Sequence, residues 1–378
     1  MNEADHIKVY MTASSFPRNA KDWRAVFIRQ LADALASKNI ELTMWSPYGE
    51  ASPLIHFDLR GGDAAWLSSL MNEGGIAHLL RTNKLKGIWS ALVLLARLYS
   101  AYRRNKKTDL YHVNWLQNSL TLPNDKKPLL ITVLGSDLKL LDLYPVRVAF
   151  RRITYKRKVI VCPNAEWMVE PLKTLLGGSI DIREVPLGID KHWYEVIRRG
   201  DRSRPHKWLV VSRLTKSKLG NLFEWAHPIF SSNQADRELH LFGPMQEIID
   251  IPSWVNYHGP ATPQQLRDQW FPEATGLITL SQHSEGRPQT ILEAMASELP
   301  VVASHIPAHS SFLRDGKTGL LCENIEIFNA AIKSLEAEEI NVKIGREAKC
   351  WVKKEIGDWD DCAERYLGLY RILLTQNK

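Results

Sequence analysis

Cysteine is scarce in this 378-residue sequence, and its four cysteines lie far apart. No C-x-x-C pair occurs, and no cysteine lies near a histidine at the spacing of a zinc site. These absences exclude a disulfide-stabilised secreted domain and a structural zinc module. We expect reduced, buried thiols in a cytoplasmic protein; the cysteines are Cys162, Cys322, Cys350 and Cys362.

Long hydrophobic runs are also absent. The most apolar segment, Ile88–Tyr102, is interrupted by Arg97 and is shorter than the about 20 residues that a membrane-spanning helix needs. The first residues, MNEADHIKVYMTASS, carry acids where a signal peptide has bases. We therefore expect a cytoplasmic protein without a membrane-spanning helix.

Acidic residues are lacking in one part of the chain. Residues 1–185 hold 26 Lys and Arg against 17 Asp and Glu, whereas the rest holds 23 against 25. The segment Lys84–Lys107 has seven cations and no acid, and a second basic cluster lies within Arg151–Lys158. The cations of the first segment are Lys84, Lys86, Arg97, Arg103, Arg104, Lys106 and Lys107.

Two interpretations of Lys84–Lys107 are open. An amphipathic helix with basic ends can lie on an anionic membrane, where each cation contributes on the order of 1 kcal/mol. Alternatively, the helix is partly buried and its basic tip is solvated. Nucleic acid is not expected, because the cations lack interleaved aromatics and any known binding module. We predict peripheral association with the inner face of the plasma membrane.

Short apolar runs alternate with helical patterns along the chain, which predicts an α/β fold with parallel sheets. The length predicts two domains. The alternation pauses at Leu187–Lys207, which has no periodic apolar face and predicts a link between two Rossmann-like units. Such units bind ligands at the carboxyl ends of their strands, here in a cleft between the units. The predicted strands are Ile7–Ala13, Ile40–Trp45, Leu110–Asn114, Pro128–Gly135, Lys158–Pro163 and Asp181–Pro186, then Trp208–Arg213, Leu239–Gly243, Val255–Gly259, Gly276–Ser281, Pro300–Ser304 and Thr318–Glu323.

Two cations follow the first strand of the second unit. Arg213 ends that strand and Lys218 lies five residues later, before a predicted helix. A guanidinium and an ammonium at a strand end suit a diphosphate. The alternative is ordinary surface charge.

The stretch SEGRPQTILEAMASELP connects a buried strand to a helix, with Pro288 in the first helical turn. The free amides of Gln289, Thr290 and Ile291 would form an anion site. Phosphate repels carboxylates, so Glu285 and Glu293 should face hydroxyls, such as a ribose diol. The alternative for Glu293 is a T-x-x-E capping box that begins at Thr290.

The same stretch, continued through PVVAS, resembles the E-x7-E signature of retaining glycosyltransferases of family 4, of the bacterial polysaccharide type. The resemblance covers nearly the whole chain. Further motifs agree in order: SSFPRN, LYHVNWLQNSL, ITVLGSDL, VPLGID, VSRLTKSKLG, HGPATPQQL, RDGKTGLL and WDDCAERYLGLYRILL.

This resemblance implies a GT-B fold: an acceptor domain at 1–187, a nucleotide-sugar domain at 188–356, and a C-terminal helix at 357–378 that packs back on the first domain. It implies that Glu293 binds the ribose, that Glu285 with Gly286 lies near the donor sugar, and that Arg213 and Lys218 bind the diphosphate. No metal or other cofactor is implied, so Asp358-Trp359-Asp360 is interpreted as a helix cap. The weakly indicated base pocket comprises His258 and Gly259.

The implied reaction is metal-independent transfer of a hexose with retention, favouring UDP-hexose as donor. The acceptor would be a lipid-linked glycan or polysaccharide of the bacterial cell surface, for example in lipopolysaccharide synthesis. Two alternatives stay open. One is a nucleotide-sugar-binding or scaffold protein of the same fold with impaired catalysis, and the other is a nucleotide-sugar epimerase of GT-B shape.

Three positions depart from the family pattern. Many members carry H-x-H where this chain has His112-Val113-Asn114. Asn114 therefore takes the position that contacts the sugar in those members. His112 is either a catalytic candidate or a hydrogen-bonded histidine at the strand end. The loop after the first strand, Ser14–Phe27, has no glycine, and Arg18, Lys21 or Arg24 would supply positive charge instead. Glu298 stands where a glycine commonly precedes the PVV strand.

Overall fold

The computed structural model describes residues 6–19, 22–135, 138–178, 180–199, 205–231, 236–283 and 285–375. The chain forms two compact units, Met1–Leu187 with Trp359–Lys378, and Gly188–Asp358. Each unit is a parallel β-sheet covered by helices, so the predicted α/β fold is confirmed. Lys21 lies outside the described residues.

The first unit contains a seven-stranded sheet in the order β3-β2-β1-β4-β5-β6-β7. Its strands are β1 Ile7–Thr12, β2 Ile40–Trp45, β3 Ile55–Phe57, β4 Leu110–Asn114, β5 Leu129–Val133, β6 Val159–Pro163 and β7 Asp181–Ile182. Its helices are α1 Val26–Ala36, α2 Asp63–Asn72, α3 Ile76–Thr82, α4 Lys84–Arg104, α5 Tyr144–Thr154, α6 Val169–Leu176 and, at the end of the chain, α14 Trp359–Thr375.

The second unit contains a six-stranded sheet in the order β10-β9-β8-β11-β12-β13. Its strands are β8 His206–Val211, β9 Arg237–Phe242, β10 Val255–Gly259, β11 Gly276–Thr279, β12 Val301–Ser304 and β13 Leu320–Cys322. Its helices are α7 Lys216–Leu219, α8 Leu222–Phe230, α9 Pro263–Gln265, α10 Gln289–Ala296, α11 Pro307–Ser310, α12 Ile325–Leu335 and α13 Glu338–Glu355.

Helices cover both faces of the first sheet. Side chains of α1 and α14 share one buried cluster with β1 and β2. Leu94 and Leu98 of α4 share a second cluster with Phe150 of α5 and Leu172 of α6. Strands β4, β5 and β6 are buried on both faces, and β5 and β6 are accordingly nearly continuous apolar runs, whereas β4 also carries His112 and Asn114.

All twelve predicted strands are present, with ends that differ by up to four residues. The strand that was not predicted, Ile55–Phe57, has three residues of which only Ile55 is buried, which is too short for a periodic pattern. Cys350 is exposed, so the expectation of a buried thiol was wrong there. None of the described helices is both long and apolar enough to span a bilayer.

Glu298 occupies the turn before β12, where the family resemblance implies a glycine. Its φ of +57° lies in the left-handed region, where a glycine costs less. The Glu298 carboxylate lies 3.1 Å from Nζ of Lys349 in α13. The turn therefore keeps the conformation that glycine favours, and the glutamate gains a partner on the neighbouring helix.

Candidate functional site

The site lies where the chain order of the second sheet reverses. Strand β8 is the first of its unit and pairs in parallel with both β9 and β11. Ligands of doubly wound sheets bind at the carboxyl ends of strands at such a switch point. Arg213 and Lys218 follow β8, and Glu285 follows β11. The backbone amide of Gln282 donates to the Ser217 carbonyl at 2.8 Å, which joins the two loops.

Lys218 and Glu285 form an ion pair in which Nζ donates to Oε2 of the carboxylate. The two side chains are 12% and 22% exposed. Burial lowers the pKa of Lys218, the Glu285 carboxylate opposes that effect, and the charge of Arg213 lowers the pKa further. Lys218 is therefore a shielded cation whose present counterion is Glu285.

Arg213 is exposed, and its Nη1 lies 3.5 Å from Oε1 of Gln246. Its charge repels that of Lys218 and lowers the pKa of the lysine, and together the two cations make the end of β8 positive. Lys218 lies within the short helix α7, whose N-cap Thr215 accepts a hydrogen bond from the Lys218 amide at 3.2 Å. The short helix thus holds the backbone of the buried lysine.

Gly220 allows the Lys218 segment to approach β11 closely. Its φ is +53°, and a Cβ there would lie 2.0 Å from the carbonyl oxygen of Leu280. We expect Gly220→Ala to destabilise the protein by more than about 1 kcal/mol, because it adds a backbone clash to left-handed strain. It should also displace Lys218 from Glu285. Thermal unfolding measures the loss of stability.

Gly316→Ala is the matched control for Gly220→Ala. Its φ is +71°, but no atom lies within 4 Å of the added Cβ. This substitution therefore carries the conformational cost alone. Equal losses of stability for the two variants would contradict a close approach at Gly220.

The N-terminus of α10 presents free amides beside Glu285. The helix begins at Gln289 after Pro288, and no side chain caps it. The amides of Gln289, Thr290 and Ile291 donate to no described acceptor; the first amide bonded in the helix is that of Leu292, at 3.4 Å from the Pro288 carbonyl. The T-x-x-E capping box is therefore wrong, because Thr290 lies inside the helix. Such amides, with the helix dipole, suit an anion.

Glu293 lies one turn inside α10 and is partly buried. No described side chain forms a hydrogen bond or an ion pair with its carboxyl group. Burial, and secondarily the nearby Asp190 carboxylate, raises the pKa of Glu293 to about 7. The segment that carries Asp190 is joined to α10 by Gln289, whose Nε2 lies 3.5 Å from the Gly188 carbonyl.

Glu293→Gln is expected to stabilise the unliganded protein in a pH-dependent manner. The raised pKa of Glu293 means that the folded state keeps a proton which the unfolded state loses between about pH 4.5 and 7. Wild-type stability therefore falls over that interval, by about 3 kcal/mol for a shift of this size. The neutral amide avoids this loss, so its advantage should grow from pH 4.5 to 7 and then stay constant. Thermal unfolding at pH 4.5, 6 and 8 tests this, and a pH-independent advantage would contradict it.

His309 packs behind the ends of β11 and β12, and no sequence motif indicated this residue. The side chain is fully buried, and Nδ1 lies 2.9 Å from the Ser304 carbonyl oxygen. The Ser304 hydroxyl donates to the Ser281 carbonyl at 2.5 Å, which joins the ends of β12 and β11. Burial lowers the pKa of His309, so the ring is neutral, and the charges of Glu285 and Lys218 both reach it.

The candidate base pocket lies at the ends of β9 and β10. His258 stacks on Phe242 with centroids 4.7 Å apart, and its Nε2 lies 3.0 Å from Nδ1 of His240. Trp270 packs against the same rings. Gly259 has a φ of +73°, and its surroundings are open. These residues form an aromatic surface beside backbone groups.

In the first unit, His112 lies in the middle of β4 and Asn114 at its end, and both are fully buried. His112 Nδ1 lies 2.6 Å from the Tyr370 hydroxyl of α14, and Nε2 lies 2.8 Å from the Thr132 hydroxyl. Burial lowers the pKa of His112 to about 3. These contacts favour the strand-end alternative. Asn114 donates to the Thr12 carbonyl at 3.3 Å, and its Oδ1 has no described partner.

The arginines of the glycine-free loop contact their own unit. Arg18 donates to the hydroxyl of Ser68 at 2.9 Å, and Arg24 donates to Asp22 at 2.8 Å.

Across the described ranges, no group of three or more His, Cys, Asp or Glu residues could hold a metal ion. Asp360 of the D-x-D motif lies 3.2 Å from Nζ of Lys38.

Part of the second unit is similar to a known protein family. Residues 205–338 match the glycosyl transferases group 1 family. The matched segment contains Arg213, Lys218, Glu285 and the whole of α10. No curated protein sequence is a significant match to the chain.

Solved structures of GT-B glycosyltransferases are similar to the chain over almost its full length. Sucrose-phosphate synthase from Thermosynechococcus elongatus is 16% identical with a TM-score of 0.74, over 98% of this chain and 100% of that one. HepE from Anabaena, solved with UDP-glucose, is 14% identical with a TM-score of 0.64, over 97% and 100%. A glycosyltransferase from Rickettsia africae is 13% identical with a TM-score of 0.66, over 99% and 100%. The fold is therefore GT-B.

Proposed function

We propose that the protein is a retaining, family 4 glycosyltransferase that transfers a hexose from a nucleotide sugar, with UDP-hexose as the favoured donor. The observation that carries this proposal is the Lys218–Glu285 pair beside the free amides of α10. The group 1 match spans these residues. That HepE was solved with UDP and with UDP-glucose supports the choice of donor.

Different residues of the site bind different parts of the nucleotide sugar. The amides of Gln289–Ile291, with Arg213 and Lys218, bind the diphosphate. Glu293 accepts hydrogen bonds from the ribose hydroxyls. Glu285, followed by Gly286, accepts one from a hydroxyl of the sugar, while the nucleobase lies against His258 and Gly259.

Donor binding would exchange the counterion of Lys218. Without donor, Glu285 neutralises the lysine. A diphosphate carries more negative charge, so Lys218 turns to it, and the released Glu285 carboxylate accepts a hydrogen bond from a sugar hydroxyl. In the unliganded protein, the ion pair therefore keeps both charged side chains neutralised and partly shielded from water.

Transfer with retention then follows on one face of the sugar. The bond from the anomeric carbon to the diphosphate oxygen breaks, and the acceptor oxygen bonds to that carbon from the same side. The acceptor proton passes to the departing diphosphate oxygen. Arg213, Lys218 and the α10 amides stabilise the charge that develops there, so this proposal requires no metal ion.

The proposed acceptor is a lipid-linked glycan or polysaccharide of the bacterial cell surface, bound by the first unit. Asn114 is kept as a candidate for a sugar contact, since its Oδ1 has no described partner. His112 is proposed to hold α14 against the sheet through Tyr370.

The proposed membrane contact is α4. Three of its cations pair with acids from other segments: Lys86 with Glu73, and Arg97 and Arg104 with Asp63. The absence of acids within Lys84–Lys107 is thus partly offset by the fold. Within the described ranges, no carboxylate pairs with the remaining cations of that segment, which are Lys84, Arg103, Lys106 and Lys107.

The exposed side of α4 is apolar. Leu85, Trp89, Leu92 and Tyr99 recur at helical spacing, and all four are exposed. An apolar stripe with free cations at both ends supports peripheral binding to an anionic inner membrane surface.

The test is a panel of UDP and GDP sugars, assayed for nucleotide release with and without membrane lipid extract. We expect one donor to raise the unfolding temperature with its concentration and to release nucleotide when acceptor is present. Binding without transfer would favour the scaffold alternative. Conversion of the donor without an acceptor would favour the epimerase.

A further inference from the structure

We propose that α5 is a second bilayer-contacting helix, so that α4 and α5 together bind an anionic membrane. The proposal deepens the peripheral membrane association proposed above and rests on it. It extends the contact to a segment 40 residues beyond α4, the range Leu143–Lys158.

Exposed apolar side chains line α5. Tyr144 is 68% exposed, Val148 45% and Tyr155, just after the helix, 67%. Tyr144 and Val148 lie four residues apart, which places them on one side of the helix, and Tyr155 follows the helix end. Phe150 lies on the opposite side and is buried. Aromatic rings left in water in this way are typical of segments that lie at a membrane interface.

The same side of α5 is basic. Leu143–Lys158 contains no acid, and Arg151 and Arg152 are exposed. No described carboxylate pairs with either of them. Arg157, by contrast, is buried and lies 3.2 Å from Asp125, so it belongs to the interior. The free cations therefore sit among the exposed apolar residues.

Helices α4 and α5 cover the same face of the first sheet. Leu94 and Leu98 from α4 and Phe150 from α5 belong to one buried cluster. Because both helices turn their buried sides to that face, their exposed stripes point away from it. One side of the first unit thus presents two apolar stripes edged with free cations.

An anionic bilayer fits this surface better than nucleic acid. Phosphate groups of nucleic acid would use Arg151 and Arg152 but would leave Tyr144 and Val148 in water. A bilayer accepts both, because apolar side chains enter the interface while cations meet anionic headgroups.

The experiment is co-sedimentation of the full chain with vesicles of phosphatidylcholine containing 30% phosphatidylglycerol, without donor. Arg151→Gln/Arg152→Gln should weaken binding by on the order of 30-fold, which corresponds to about 1 kcal/mol per cation. Tyr144→Ser/Val148→Ser should weaken it by about tenfold or more through the loss of buried apolar area. All four side chains are at the surface, so folding should persist, as thermal unfolding will show.

The control is Lys343→Gln/Arg346→Gln, which removes two exposed cations from α13 in the second unit. It should leave vesicle binding within about twofold, since these cations lie outside the surface that meets the headgroups. Wild-type affinity in both α5 variants, or an equal loss in the control, would overturn the proposal. So would equal binding to pure phosphatidylcholine vesicles or preferential binding to a duplex oligonucleotide. Donor turnover in solution is measured separately, so a failure of the proposed enzyme activity leaves this result interpretable.

Discussion

Lys218→Ala is expected to lower kcat/KM for UDP-glucose by about 10²- to 10³-fold. This is the range observed when a hydrogen-bonding group that stabilises a developing oxyanion is removed from an enzyme. Lys218 is shielded from water, so its charge is screened less than that of a surface lysine. The departing diphosphate would lose that charge as the glycosidic bond breaks. The loss should therefore appear mainly in kcat. Initial rates of nucleotide release measure it.

Lys218→Ala also leaves Glu285 without its counterion, and this effect must be separated from catalysis. The double variant Lys218→Ala/Glu285→Gln removes the unpaired carboxylate. If Lys218 acts on the diphosphate, the double variant should recover thermal stability and remain nearly inactive. Lys216→Ala, on the same short helix but exposed, should keep wild-type turnover. Recovery of activity in the double variant would show that Lys218 only neutralises Glu285.

Glu293→Ala is expected to raise KM for the donor by about 10- to 100-fold, the equivalent of one hydrogen bond to a charged group. Its carboxyl group has no described protein partner, although it is partly buried. Burying a carboxyl group without a hydrogen-bond partner costs free energy of folding. The two hydroxyl groups of a ribose would supply the missing hydrogen bonds. The proposed contact would form in the ground state and persist in the transition state, so kcat should change little.

A donor that lacks the ribose 2′-hydroxyl distinguishes this role from a general loss of structure. The wild-type protein should discriminate against 2′-deoxy-UDP-glucose, whereas Glu293→Ala should treat both donors alike. Glu298→Gln, five residues later and paired with Lys349, should discriminate as wild type does. Undiminished discrimination in Glu293→Ala would place the ribose elsewhere.

The sequence allowed most of the fold to be predicted, because strand periodicity and turn residues are local properties. The run GLIT, for example, reads as a buried strand and is one. Strand β3 escaped prediction because three residues are too few to establish a period. The left-handed conformation of Glu298 could not be predicted either, because its carboxylate pairs with Lys349 on a helix distant in sequence.

The candidate site was predictable by position but not by contact. The order strand, loop, helix places Glu285 and the amides of α10 at one sheet edge, so their neighbourhood could be inferred from the sequence. The pairing of Glu285 with Lys218 joins residues 67 positions apart. His309 escaped notice for the same reason, because its contacts run to Ser304 and, electrostatically, to Glu285 and Lys218.

By itself the sequence determined two α/β series, an acid-poor first half and a helix N-terminus at a strand end. These features depend on neighbours within a few residues, and local backbone preferences specify them. Only the tertiary structure decided which charges meet. Asp63 neutralises Arg97, Glu285 neutralises Lys218, and Arg151 stays without a described acid, because each outcome depends on where distant segments pack.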